Sequence, residues 1–315
     1  MNKIVNLPSC TVMVLNWNGA KALEMCHSCV LDAASVVGAD VWVVDNDSKD
    51  GSAELCRSQF PSAQFVPLGI NKSLAGYNLA ARYCENEVIV ALDNDVIVEK
   101  DFLLPLLSHF IDSSDIFAVT SRICVYPPDD YKTHGEATEV VWQDGMLRRG
   151  KTHESLNQAK PVFYNCGCAT ARSRVKFLEL GGFDELFFPL YHEDIDLSWR
   201  AWKRGWTCLY EPKSVVFHAC GTSMGRSEQV KTLMLRNEFL FHWKNLTTPS
   251  YVISHAATLV PRLLSAFLRG DKARLLGFIQ AIKRLKMAMH SRSKVLSQFS
   301  IGDAEVVQRI NGLPL

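Results

Sequence analysis

What most constrains this chain is an alternation over its first hundred or so residues, in which short apolar, β-branched runs are each followed by a helix-length segment. Residues 10–16 (CTVMVLN), 41–45, 64–67 and 88–92 read as strands, with helices predicted over 21–37, 52–60 and 73–85. Strands spaced by helices pair in parallel, because a parallel neighbour is reached only through a long, right-handed crossover. The predicted class is therefore α/β, with a Rossmann-like, mainly parallel sheet flanked by helices. A helix near 100–111 and a strand near 116–120 extend the pattern, and 127–161 reads as a long loop with room for a hairpin. Beyond it, 162–166 reads as a strand, 172–180 as a helix, Gly181-Gly182 as a turn and 194–204 as a helix, and strands at 207–210 and 214–218 close the sheet. From Glu228 the chain is helical and its composition shifts, which sets a boundary near 225–250.

A chain of 315 residues that is 48% hydrophobic and 21% charged can bury a large core, which excludes wholesale disorder. Thirty-four basic against 33 acidic residues leave a net charge of +1, so nothing global favours nucleic acid as a partner. The pairs Cys26-x-x-Cys29 and Cys166-x-Cys168 lack a second pair at zinc-site spacing. With no secretory leader visible before the first strand, they are expected to be incidental reduced thiols of a cytoplasmic protein. The uncharged stretch 245–261 carries Asn, Thr, Ser, His and two prolines and reads as a poor membrane-spanning helix.

Three Asp-x-Asp triplets stand at 45–47, 93–95 and 194–196. The first two end predicted strands, and the carboxyl ends of strands are where open α/β sheets bind ligands. Asp93 and Asp95 can direct oxygens at one divalent cation on a diphosphate, or can cap a turn. Asp45 can accept a hydrogen bond from a nucleobase or ribose, or serve the same turn chemistry. The segment YHEDIDL (191–197) opens a helix; its carboxylates can cap that helix, or one of them, beside the aromatic run 187–190, can act as a general base. His218, at a strand end, is either structural or the completion of a cation site. The loop 71–78 is neither G-x-G-x-x-G nor a Walker loop, which argues against a dehydrogenase or a P-loop nucleotidase.

Taken in order, VLNWNG (14–19), VVDNDSxDGS (43–52), the loop 71–78, LDND (92–95), GGFDE (181–185) and EDxDL (193–197) make residues 10–245 resemble glycosyltransferase family 2, the inverting enzymes of the GT-A fold, and its rhamnosyltransferase-like members in particular. The resemblance implies a catalytic domain over 1–245, with a nucleotide-sugar half to about 125 and an acceptor half from about 126, followed by a helical region over 246–315. It implies that Asn16, Trp17, Asn18, Asp45, Asn71, Gly76, Asn78 and Asp93 meet a nucleotide-sugar donor, dTDP- or UDP-linked. Asp93 and Asp95 would hold Mg2+ or Mn2+, with His218 approaching the metal. Asp194 matches the base that takes a proton from an acceptor hydroxyl, and Glu193 and Trp199 fall on the acceptor side. Two departures stand out: Tyr77 where glycine is common, and Asp47 where Gly or Ser is frequent. Arg236-Asn237 matches a recurring pair to which chemistry alone assigns no role.

From 262 to 294 nine basic residues (Arg262, Arg269, Lys272, Arg274, Lys283, Arg284, Lys286, Arg292, Lys294) face one acidic residue, Asp271. Leu275, Phe278, Ile279, Ile282, Leu285 and Met289 follow helical spacing among them. Such a basic amphipathic helix can lie on an anionic membrane, where a glycolipid acceptor would be met, or pack its apolar stripe on the domain. The expected activity is inverting, metal-dependent glycosyl transfer to a hydroxyl of a lipid-linked surface polysaccharide, with the protein peripheral on the cytoplasmic face of the membrane. A sugar-phosphate nucleotidyltransferase would want a basic, Gly-rich loop after the first strand, where this chain has Asn16-Trp17-Asn18-Gly19. A catalytically silent glycan-binding relative has no chemical need for Asp93, Asp95 and Asp194 together.

Overall fold

The computed structural model describes residues 7–111, 113–126, 137–152, 157–218 and 227–312. In chain order the first half gives β1 (Cys10–Asn16), α1 (Ala20–Val37), β2 (Asp40–Asp45), α2 (Ser52–Gln59), β3 (Gln64–Pro67), α3 (Gly76–Tyr83), β4 (Val88–Asp93), β5 (Val96–Val98), α4 (Leu103–Ser108) and β6 (Ile116–Val125). Then come β7 (Thr138–Gln143), β8 (Met146–Thr152), β9 (Lys160–Pro161), β10 (Ala169–Ser173), α5 (Arg174–Glu179), α6 (Glu193–Lys203) and β11 (Thr207–His218). The helical end is α7 (Glu228–Asn245), α8 (Pro249–Leu268), α9 (Lys272–Lys283), α10 (Leu285–Val295) and α11 (Asp303–Asn311).

The main sheet runs β3-β2-β1-β4-β10-β6-β11-β5, with β9 added on β11. As the alternation requires, β3, β2, β1 and β4 are all parallel. β1, β2 and β4 are buried on both faces, which is why they read as apolar runs, while β3, at the sheet edge, is only partly covered. Val12 and Val14 join a core with Val30 and Leu103 on the α1 and α4 side, while Met13 points into a second core with Tyr77, Phe177 and Trp199.

Beyond β4 the sequence reading needs correction. β10 lies antiparallel between β4 and β6, so Arg172 belongs to a strand and the helix begins only at Arg174. The segment 162–166 is not a strand. Val162 and Phe163 are buried there and give their N–H groups to Cys208 and Thr138 carbonyls. Residues 207–218 form one strand with a bulge between Glu211 and Val215 rather than two, and β5 was not anticipated. The hairpin expected within 127–161 exists as β7–β8, while 127–136 and 153–156 lie outside the described residues. Its turn, Asp144-Gly145, has positive φ at both positions (52° and 71°), as a two-residue hairpin turn demands.

Residues 246–312 are fastened to the sheet-bearing part. Lys203 and Asp303, both fully buried, form an ion pair of 2.9 Å, and Asp303 also accepts the N–H groups of Thr247 and Thr248. α8 lies along the hairpin: Tyr251 stacks on Trp142 at 4.0 Å, His255 bonds the Gly145 carbonyl, and Arg262 reaches the Asp144 carbonyl. A Cβ at Gly145 would fall 2.1 Å from the Thr258 hydroxyl, so this close approach requires glycine.

By length and composition α8 could cross a bilayer, where the sequence reading of 245–261 expected a poor span. Four of the nine basic residues read as membrane-facing turn inward. Arg262 does so at the hairpin, Arg274 pairs with Asp271 and Glu238, Arg284 bonds the Leu186 and Phe188 carbonyls, and Arg292 caps the end of α7 through the Trp243, Lys244 and Leu246 carbonyls. Phe278 packs on Phe239 and Trp243, whereas Ile279, Ile282, Leu285 and Met289 remain exposed.

Candidate active site

Strand register assembles the first cluster. Asp93 ends β4, and because Ala169 of β10 sits opposite Leu92, Cys168 falls beside Asp93, whose N–H donates to the Cys168 carbonyl at 3.0 Å. Across the sheet His218 pairs with Val96 of β5, which sets its Nε2 3.1 Å from an Asp95 oxygen. The donor atoms of Asp93, Cys168 and His218 lie within 4.8 Å of one another. Burial pushes the Asp93 carboxyl up to about 6, with His218 pulling it down and Asp95 adding to the rise. Two carboxylates and an imidazole converging at strand ends form a donor set that suits a divalent cation. The sequence reading found Asp93, Asp95 and His218 but set Cys168 aside as an incidental thiol, because only the β10 register reveals its place.

The β1 and β2 ends, expected to form the donor side, are built by hydrogen bonds among the motif residues. Asn16 gives its amide to Asp45 at 2.8 Å and accepts from Asn94 at 2.7 Å, while the second Asp45 oxygen accepts the Ser48 N–H. Asp45 is buried, each of its oxygens already holds one bond, and it therefore shapes the β1 and β2 ends together. Asn18, at φ 49°, accepts the Lys49 N–H and donates its own to Ser48, and Trp17 stands 55% exposed beside it. Asp47 pairs with Lys49 at 2.7 Å on the surface, which accounts for its extra charge.

In the loop that follows, Asn71 accepts the Ser73 N–H. A Cβ on Gly76 would meet the side-chain ends of Leu68, Asn46 and Leu15 at 2.9–3.2 Å, so the close packing there favours glycine. Tyr77, the departure from glycine, points into the core and donates its hydroxyl to the Leu92 carbonyl at 3.0 Å, away from the donor side. Asn78 exchanges two 2.8 Å bonds with the Phe183 backbone and holds the Gly181-Gly182 turn instead of facing the crevice.

α6 carries the acidic motif and divides its carboxylates by depth. Asp196 is fully buried and accepts from Arg200, Lys244 and Asn245, each at 2.8 Å. Arg200 in turn holds the Leu180 and Gly182 carbonyls at 2.7 Å. Asp194 stands at the opening of the helix, its oxygen accepting the Ile195 N–H at 2.8 Å. Burial raises its carboxyl, and the Ile195 N–H and the cations of Arg172 and Arg149 oppose the rise. Glu193 is raised as well, by burial first and then by the Asp194 charge, so the two share the difficulty of ionising side by side. A desolvated carboxylate poised above its ordinary range is suited to accept a proton.

Trp199, expected on the acceptor side, is fully buried, edge-on to Phe163 and Phe241, because it lies on the inward face of α6. Arg236 and Asn237 gain a role: they bond the carbonyls of Phe187, Phe188, Leu190 and Tyr191 and so hold the segment that delivers Glu193 and Asp194. Arg172 is a site residue that sequence reasoning missed. Its Nε and one terminal nitrogen have no hydrogen-bond partner among the described residues, and its charge acts on Asp194.

The family model for glycosyl transferase family 2 matches residues 11–181. The N-acetylglucosaminyl-diphospho-decaprenol L-rhamnosyltransferase of Mycobacterium tuberculosis is 40% identical over 237 residues, covering 62% of this chain and 71% of that protein. The poly-beta-1,6-N-acetyl-D-glucosamine synthase of Staphylococcus aureus is 22% identical over 258 residues, covering 78% and 60%. Among solved structures, a GalNAc transferase with UDP, GalNAc and Mn2+ is similar at a TM-score of 0.61 and 18% identity, over 76% of this chain and 48% of that one. A mannosyltransferase of Pyrobaculum calidifontis in complex with GDP-Man and Mn2+ is similar at 0.53 and 16%, over 93% and 86%. With the ordered motifs, the GT-A sheet and these matches in hand, the chain belongs to glycosyltransferase family 2.

Proposed function

We propose that this glycosyltransferase moves a hexosyl or deoxyhexosyl unit from a dTDP- or UDP-linked donor to a hydroxyl of a lipid-linked surface-polysaccharide acceptor, with inversion and with a divalent cation. The observation that carries the reading is the placement of Asp93, Asp95 and His218 at neighbouring strand ends, with Glu193 close enough to feel the charge of Asp93. Asp93, Asp95 and His218 would hold the cation, which would offset the diphosphate charge and favour departure of the nucleotide. Asn18 and the exposed face of Trp17 stand at the strand ends where the nucleoside would rest, held there by the buried Asn16 and Asp45 beneath them. Asp194 would take the proton of the acceptor hydroxyl as its oxygen attacks the anomeric carbon opposite the leaving group, and Arg172 would keep that carboxylate ionised.

The acceptor class is supported by the relative named for a diphospho-decaprenol substrate. It is supported too by the exposed row Ile279, Ile282, Leu285 and Met289, beside the exposed cations Arg269, Lys272, Lys283, Lys286 and Lys294. On this reading the protein is peripheral at the cytoplasmic face of the membrane. The test is sugar transfer to a polyprenyl-diphosphate GlcNAc acceptor, with the product anomer read by NMR. Inverted product from the wild type and none from Asp194→Asn is expected; retained configuration, or full activity of the variant, contradicts the mechanism.

A further inference from the structure

We propose that Cys168 is a protein ligand of the cation, making the site an Asp93–Asp95–His218–Cys168 set that prefers thiophilic divalent ions to Mg2+. The inference rests on the reading of Asp93, Asp95 and His218 as the cation site, and adds to it a donor from an independent strand. β10 and β4 are locked in register by Ala169 opposite Leu92, so the position of Cys168 next to Asp93 is set by the backbone of the sheet. Its sulfur, an Asp93 oxygen and a His218 nitrogen already lie within 4.8 Å of one another, and Asp95 touches His218 at 3.1 Å.

Metal–ligand bonds of about 2.0–2.3 Å allow donors on opposite sides of one ion to stand roughly 4.5 Å apart, so the spread needs little tightening. Cys168 is 5% exposed, and the Cys166 thiol is a hydrogen-bonding neighbour of its sulfur. A set with only carboxylate oxygens suits Mg2+, whereas thiolate and imidazole donors favour the softer first-row ions and Cd2+. On binding, the Cys168 S–H bond breaks, the sulfur pair forms the bond to the metal, and the proton passes to solvent.

The test is an anaerobic titration of the full chain with Co2+ and Cd2+, followed by sulfur-to-metal charge-transfer absorbance and by Mg2+ competition. Wild type, Cys168→Ser, Cys166→Ser and Asp95→Asn are compared. Expected are a one-to-one band in wild type and Cys166→Ser, its loss in Cys168→Ser, and a fall of at least about tenfold in the Cd2+ over Mg2+ preference of Cys168→Ser, read by the Mg2+ competition. Metal binding that Asp95→Asn abolishes but that shows no charge-transfer band in wild type overturns the Cys168 assignment and leaves the cation site standing. Absence of any Co2+, Cd2+ or Mn2+ binding in wild type overturns both. If Cys168→Ser does not fold, a band kept in Cys166→Ser and lost in Asp95→Asn supports the assignment, and a band lost in Cys166→Ser or kept in Asp95→Asn overturns it.

Discussion

The acidic motif at the head of α6 should divide into one carboxylate that stabilises and one that reacts, and paired isosteric substitutions separate them. Asp196 sits between two buried cations, Arg200 and Lys244, and also accepts the Asn245 amide. Asp196→Asn removes the negative charge and turns an acceptor into a donor there, leaving Lys244 only Asp184 at 2.7 Å. Breaking a buried pair of this kind costs about 3–5 kcal/mol. Against a net stability of roughly 5–15 kcal/mol that is a large fraction, and with m near 3 kcal/mol/M the urea midpoint should drop by about 1–1.7 M. Asp194→Asn removes a charge that burial already disfavours, so its midpoint should stay put or rise. Its transfer rate should fall by about 10²–10⁴-fold, the usual worth of a general base. Urea unfolding followed by tryptophan fluorescence, with transfer assays on the same samples, reads both. A stable Asp196→Asn, or an Asp194→Asn that loses as much stability, refutes this division.

Further outcomes follow from the geometry. Because burial holds Asp93 at about 6, Mn2+ must displace a proton from it below that pH, and calorimetric Mn2+ affinity should fall as pH drops from 7 to 5; a flat profile would remove Asp93 from the site. In the metal-free protein the sign reverses. The stability linked to protonated Asp93 is fully present below its ordinary pKa of 3.8 and is lost as pH rises through about 6. Tyr77→Phe should cost about 1 kcal/mol of stability by deleting the bond to Leu92 while leaving nucleotide affinity unchanged, and a tenfold loss of affinity would place Tyr77 at the donor after all. Ile282→Glu with Leu285→Glu, both exposed in the wild type, should abolish sedimentation with phosphatidylglycerol vesicles and spare nucleotide binding; undiminished sedimentation would rule out this face.

β1, β2 and β4 were legible because each is buried on both faces and so spells an apolar run, and the aspartates ending β2 and β4 followed from that position alone. β10 was not, because ATARS carries little β-branched signal and holds a buried arginine, whose burial depends on neighbours contributed from far along the chain. Cys168 and Arg172 were hidden for the same reason: they reach the site through antiparallel register, a long-range property. Asp196 and Trp199 share a helix with Asp194, but residues two and five positions on point to other faces of a helix with 3.6 residues per turn, here into the core. Asn78 was misjudged because the amide that matches a donor-loop motif also suits the backbone of Phe183.

The central claim is that the carboxylates at the end of β4 bind a cation on a nucleoside diphosphate. Calorimetry of UDP, dTDP, GDP and CDP with and without Mn2+, on wild type and Asp95→Asn, tests it most directly. The account requires one nucleotide to bind in the presence of Mn2+ and not in its absence, and Asp95→Asn to lose that binding. No binding by any of the four, or binding indifferent to Mn2+ and to Asp95, would contradict it.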